Sequence, residues 1–365
     1  MELVRSGKGS YASLGELYDK KLWHELTLKM ETVVRTEDDA VALLALADDF
    51  LPKFEAKINQ LAYAQILSAI LSSCVEKKAL AAETAIERLD QTVDQKKGRL
   101  GREASLFLSM EAACLRLDIG QPVKDQLDAA KPIIDSLTNS NTAVFYKYYS
   151  ACAEYYKKFG PPEEFYRAAL SYLSYASEDQ IKDPVTLATD MSLAALAGDL
   201  YNFGEILTTP ILAALERTDL EWLGDLLKAC GRGDVDHFRT ILMDHDLPPV
   251  LVARLDFVKE KIALLALMNL LFETPSRSRA LDFDAISRRT RLDIDKVEWL
   301  VMRAMALNLV RGQIDEVKQS VHFSWVAPRV LDDHQIAHLV TQLDTLNDKA
   351  KTAFDILSDQ TVDLI

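Results

Sequence analysis

Two groups of side chains in this 365-residue sequence have the types that hold metals or move protons. His237 and His245 stand among Asp234, Asp236, Asp244 and Asp246, and His334 and His338 stand four apart beside Asp333. Residues at i and i+4 share a helix face, but a tetrahedral zinc site needs at least a third protein ligand. The second group offers none in a suitable place. The first brackets a short helix, where acids cap the ends and remain solvated, and the second lies on a polar helix flank. HExxH and HxH patterns are absent. Gly7-Lys8-Gly9-Ser10 has the composition of a phosphate loop but the wrong order, and no strand precedes it. GxSxG and GxGxxG are also missing. The residues therefore suggest no catalytic, cofactor or metal site, no enzyme and no small-molecule substrate.

Arginine is the remaining chemistry. Arg277, Arg279, Arg288, Arg289 and Arg291 cluster, and residues 256–330 hold twelve Lys+Arg against ten Asp+Glu. The whole chain is acidic, with formal net charge -14, whereas a generic nucleic-acid binder carries a basic surface. The helix that would enter a groove begins Asp293-Ile294-Asp295 and carries Glu298, and the three carboxylates repel phosphate. Nucleic acid is thus a poor partner, and acidic protein surfaces fit the arginines better. No apolar run approaches the roughly 20 residues of a membrane span, so no membrane partner is expected. Cys74, Cys114, Cys152 and Cys230 are scattered in apolar helical contexts, which fits reduced, buried thiols in an intracellular protein.

Most of residues 11–273 follows helical periodicity. Thr36 before Glu37, Asp38 and Asp39 reads as an N-cap with first-turn acids. Phe54, Ile58, Leu61, Ile66, Ile70 and Cys74 recur at threes and fours, and further helices fall at 79–97, 102–118 and 122–137, the last interrupted by prolines. Pro161-Pro162 opens a helix, and the pairs around Asp199–Leu207 and Trp222–Leu242 place small and aromatic residues at helix turns. This spacing predicts a degenerate, tetratricopeptide-like, right-handed helical solenoid. Pro248-Pro249 then starts a long helix ending near Glu273.

From Leu281 the pattern changes. Asp282 and Asp293 can cap two short helices, with Phe283, Ile286, Val297 and Val301 facing inward. Leu309–Ile314 and Val321–Trp325 alternate like strands around a polar turn. Helix, helix, strand, turn, strand is the order of a winged helix, with Phe323 and Trp325 completing its core. Loss of a buried Trp325 would cost about 3–5 kcal/mol. After Pro328, Ile336, Leu339, Leu343, Leu346, Ala350 and Leu357 form a heptad seam, widened by Val340 and Phe354. A seam of this length beyond the last compact domain predicts a helix that enters a bundle with other subunits. The chain is therefore mainly α, divided into an arm at 1–250, a linker helix and winged helix at 251–331, and a bundle helix at 332–365.

Four stretches carry a family resemblance: Lys21-Leu22-Trp23-His24-Glu25-Leu26-Thr27; Glu298-Trp299-Leu300-Val301-Met302-Arg303-Ala304; Gly312-Gln313-Ile314-Asp315-Glu316-Val317; and Trp325-Val326-Ala327-Pro328-Arg329-Val330-Leu331. With the order of elements, they resemble the PCI-domain subunits of the 26S proteasome regulatory lid, over nearly the full length. PCI domains also occur in the signalosome and in a translation initiation factor, which leaves a subunit of one of those complexes, with RNA as a contact, as the alternative. The resemblance implies a non-catalytic scaffold of cytoplasm and nucleus, serving ubiquitin-dependent degradation, with other PCI and lid subunits as partners.

Overall fold

The computed structural model describes residues 10–37, 39–96, 98–137, 141–177, 181, 183–274, 279–328 and 333–360. Gly7, Lys8, Gly9, Asp38, Arg277, Arg329, Val330 and Leu331 lie outside them. The chain divides into two compact units, Met1–Lys182 and Asp183–Ile365.

Among its described residues the first unit holds helices and no strand. Its helices are α1 (Ser10–Asp19), α2 (Trp23–Thr36), α3 (Ala40–Ala45), α4 (Leu51–Phe54), α5 (Gln60–Glu76), α6 (Ala82–Gln95), α7 (Arg102–Asp118), α8 (Lys124–Ser136), α9 (Thr142–Phe159) and α10 (Pro162–Tyr175). Thr36 ends α2 rather than capping the next helix. Asp39 takes the cap, its carboxylate accepting the Val41 N–H at 3.0 Å. Asp39 directly precedes the first turn and reaches its unpaired amides, and Thr36 instead bonds back to Thr32 O. The apolar stripe from Phe54 to Cys74 is not one helix. A 3₁₀ turn at Glu55–Lys57 interrupts it, and Asn59 restarts it by accepting the Leu61 N–H at 2.8 Å. Conversely, α8 runs through Pro132 unbroken.

α7 is the centre of this unit. It packs against α5, α6 and α9, and α9 packs in turn on α10. Leu106, Leu108, Met110, Ala112 and Ala113 of α7 are buried among them. Amid this apolar packing sits a charge: Glu111 accepts hydrogen bonds from Ser68 (2.6 Å) and Ser72 (2.5 Å) of α5 and pairs with Lys147 of α9. Buried carboxylates persist only when paired and hydrogen-bonded in this way. Aromatic rings join α9 to α10, with Tyr175 stacked on Phe145 and on Tyr149.

The second unit begins with α11 (Pro184–Ala197), α12 (Gly204–Thr208), a 3₁₀ segment Pro210–Leu215, α13 (Glu221–Arg232) and α14 (Val235–Asp244). Gly233 turns the chain between α13 and α14 at φ +63, and a Cβ there would lie 2.7 Å from Ala266 Cα. Only glycine meets both demands without strain. The single helix expected after Pro248-Pro249 is two, α15 (Pro249–Ala253) and α16 (Leu255–Glu273). Arg254 leaves helical geometry between them, and its guanidinium donates to Ala197 O at 2.6 Å.

α16 is the spine of this unit, with Ile262, Leu264, Leu265, Leu267 and Leu271 buried. Lys261 is also buried. Its ammonium donates to Ala195 O (2.6 Å) and Gly198 O (2.7 Å) at the end of α11 and lies 4.9 Å from the Phe203 ring centre. A cation thus sits on the negative end of a helix whose last carbonyls lack intrahelical donors.

The winged helix follows as β1 (Ala280–Asp282), α17 (Phe283–Thr290), α18 (Ile294–Ala306), β2 (Val310–Asp315) and β3 (Ser320–Val326). Its sheet is antiparallel in the order β1-β3-β2. β1 has only three residues, too few for a period of two to reveal, and it is fixed by β3: Phe323 N–H donates to Arg279 O at 2.8 Å. The last helix, α19, spans Asp333–Gln360.

Candidate functional site

The winged-helix core assembles as its apolar positions require. Phe283 and Ile286 from α17, Val297 and Val301 from α18, and Phe323 from β3 are all buried, as are Leu300, Ala304 and Val321. Trp325 lies differently. It is only partly covered, and the Arg311 guanidinium rests 4.8 Å from its ring centre. A register shift between Arg311 and Gly312 turns β2 at this point. Gly312 admits the shift because any Cβ there would strike the His322 carbonyl. Trp325 therefore closes the edge of the sheet instead of filling the core.

The outer face of α18 carries apolar side chains among charged ones. Ile294, Trp299 and Met302 are exposed, Trp299 by 51%, and Val317 is fully exposed at the hairpin tip. The sequence held a signal for this face: Trp299 and Met302 fall between the inward positions Val297, Leu300, Val301 and Ala304. An aromatic and a methionine off the buried stripe mark a surface with something to cover it.

Two of the clustered arginines, Arg289 and Arg291, pair within the chain instead of awaiting acidic partners. Arg291 grips Asp236 through two nitrogens, Nε at 3.1 Å and Nη2 at 2.6 Å. Hydrogen bonding from Arg291 holds the Asp236 carboxyl below the usual aspartate range. Arg289 donates to Glu273 at 2.7 Å and Arg303 to Glu260 at 2.8 Å. These pairs tie α17 to α14 and α16, and α18 to α16.

The histidine cluster around α14 disperses. Asp234 caps α14 by accepting the His237 N–H at 3.0 Å, Asp236 is taken by Arg291, and His245 stacks on Trp222. No group of metal-ligating side chains forms among the described residues, and the side chains of His334 and His338 lie outside them. All four cysteines are buried, with no disulfide among them. Burial pushes the Cys152 thiol up to about 11 and Cys230 to about 12, so neither is a thiolate at neutral pH. Among the described residues no helix is long and apolar enough to cross a membrane.

α19 carries the largest bare apolar surface. Ile336, Leu339, Val340, Leu343, Leu346, Phe354 and Leu357 are between 44% and 69% exposed, and Ala350 is exposed with them. At 3.6 residues per turn they form one continuous stripe over about six turns.

Helices stacked in pairs, then a winged helix, then an uncovered amphipathic helix are the arrangement of a PCI-domain protein, and residues 236–325 match the PCI domain. Residues 10–227 match the PSD13 N-terminal repeats. The chain belongs to the family of the 26S proteasome non-ATPase regulatory subunit 13. It is 35% identical to the 26S proteasome non-ATPase regulatory subunit 13 homolog B of Arabidopsis thaliana, covering 97% of this chain and 94% of that one. It is 30% identical to the 26S proteasome non-ATPase regulatory subunit 13 of Dictyostelium discoideum, over 97% and 93% of the two chains. It is 32% identical to the 26S proteasome regulatory subunit RPN9 of Saccharomyces cerevisiae, over 92% and 88%.

Proposed function

We propose that the chain is a non-catalytic scaffold subunit of the 26S proteasome lid, supporting lid assembly and ubiquitin-dependent protein degradation in cytoplasm and nucleus. Residues 1–250 act as the arm, 251–331 as the PCI module and 332–365 as the bundle helix. The relatives are named as regulatory, non-ATPase subunits of that particle, which agrees with a role in assembly rather than chemistry.

The bare seam of α19 carries the reading. Each Leu or Ile moved from water into a helical bundle contributes about 1.5–3 kcal/mol, so Ile336, Leu339, Leu343, Leu346 and Leu357 together can drive association. The same stripe left in water would favour aggregation. Helices of other lid subunits, with Ala350, Val340 and Phe354 fitting between them, are its natural cover. The exposed Trp299 and Met302 face suits another PCI subunit. It does not suit nucleic acid, because Asp293, Asp295 and Glu298 flank it.

The test is a chain ending at residue 332. It folds, with the melting transition of the full chain, but does not co-purify with lid subunits from cells. Normal co-purification of the shortened chain would overturn the reading.

A further inference from the structure

The second unit holds a cavity of about 1270 Å³ that neither the winged-helix core nor α19 uses. α16 forms its floor. Leu265, Asn269 and Glu273 recur along it at every fourth residue, so at 1.5 Å per residue the floor runs about 12 Å. α13 contributes a wall with opposite charges at its ends, Glu221 at its start and Arg232 at its finish, about 16 Å apart by the same rise.

Three polar atoms of the lining are buried without a hydrogen-bond partner: Asn269 Oδ1, Tyr201 Oη and Arg289 Nε. Asn269 is 3% exposed. Its Nδ2 donates to Gly231 O at 3.2 Å, which fixes the amide and leaves its oxygen facing no donor. Orphaned polar atoms are rare in folded proteins and mark where a polar partner belongs. Charge points the same way. Arg289 and Arg291 are held by Glu273 and Asp236, whereas Arg232 and Arg288, also on the lining, make no ion pair among the described residues.

We propose that this cleft binds an extended peptide segment of a partner protein, acidic at one end, with its Asp or Glu against Arg232 and Arg288. The proposal rests on the chain being an assembly subunit. An extended peptide offers N–H and C=O groups alternately, which pair with Asn269 Oδ1, Arg289 Nε and Tyr201 Oη once these buried side chains turn toward the cleft. At about 3.3 Å per residue, about four residues span the floor. The volume also exceeds the roughly 300–1,000 Å³ of small-molecule pockets. Glu216 and Glu221 on the same lining repel an acid at the other end, which sets the direction of the segment.

The experiment places p-benzoylphenylalanine at Leu212, on the lining, in the full chain within the complex purified from cells. Irradiation and mass spectrometry then identify what lies in the cleft. Crosslinks concentrate on one partner segment containing Asp or Glu, and the double substitution Arg232→Glu, Arg288→Glu weakens them about tenfold, the scale of a lost charge-assisted contact. Both arginines are exposed, so the variant keeps its melting transition and still joins the complex. Reversing the partner's acid to lysine restores the crosslink. An intact complex with no crosslink to a partner, with crosslinks only to this chain, or with crosslinks indifferent to charge reversal would overturn the inference and leave the subunit reading standing. Failure to co-purify with any lid subunit would overturn both.

Discussion

Lys147 Nζ lies 2.5 Å from Glu111 Oε2, joining α9 to α7 in a part of the first unit where the Glu111 side chain is 5% exposed and that of Lys147 17%. Ser68 and Ser72 complete the carboxylate's hydrogen bonds from a third helix. Removing one partner of a buried pair strands the other, at a cost of about 3–5 kcal/mol. Glu111→Ala should lower stability by that amount in urea unfolding. Replacing both residues, Glu111→Met with Lys147→Met, should recover most of it, because apolar side chains of similar volume leave no stranded charge.

The same pair sets a pH response. Burial works to raise the Glu111 carboxyl, but the Lys147 charge and the donated hydrogen bonds outweigh it and hold it below the ordinary value of 4.5. Its contribution is therefore present above that value and is lost as pH falls through the lower folded value. Burial would likewise depress Lys147, but Glu111 holds it above its ordinary 10.5. That contribution is present below 10.5 and is lost as pH rises through the folded value. As pH falls below about 4.5, the urea midpoint should fall more steeply for the natural chain than for Glu111→Gln. Parallel slopes would remove Glu111 from the account.

Gly233 is fixed by two constraints, a left-handed backbone and the close approach of Ala266 Cα. Gly233→Ala should destabilise by at least about 1–3 kcal/mol, since backbone cannot give way as a flexible side chain can. Gly98→Ala, where a Cβ meets nothing within 4 Å, is the control and should leave the melting temperature nearly unchanged.

Phe323 and Trp325 sit on one strand but in different surroundings. Phe323→Ala empties a buried site and should cost about 3–5 kcal/mol. Trp325→Ala should cost clearly less, because the indole is already partly wet and its main partner is the Arg311 guanidinium. Equal losses in denaturant melts would mean that Trp325 is a core residue after all.

Leu343→Asp with Leu346→Asp changes two exposed side chains of α19. The isolated chain should keep its stability within about 0.5 kcal/mol, while its recovery in complexes from cells should collapse. A large drop in the stability of the isolated chain would instead show that the seam packs within the chain.

What was legible in the sequence was what repeats locally. Period 3.6 marked the helices, period 2 marked β2 and β3, and the heptad stripe marked α19, because side-chain direction follows backbone period. The four resembling stretches carried the family in the same way, as strings of adjacent residues. Boundaries were less legible. Thr36 and Asp39 are both good caps, and only the position of the next unpaired amides selects Asp39. The break at Arg254 depends on Ala197 O, a carbonyl on another helix.

A mainly helical chain with a winged helix and an amphipathic last helix can be read from residue order, since each needs only short-range periodicity. The tertiary structure alone decided where charge is satisfied. It brought Arg291 to Asp236, Lys147 to Glu111 and Lys261 to the end of α11, and it moved Trp325 from the core to an edge. It also left Arg232 and Arg288 without an ion pair among the described residues, and the Asn269 oxygen without a donor, around one cleft. Such pairings join residues far apart in the chain, and no local period encodes them. They follow from which helix faces meet when the apolar stripes are buried, and from the cost of leaving any buried polar atom alone.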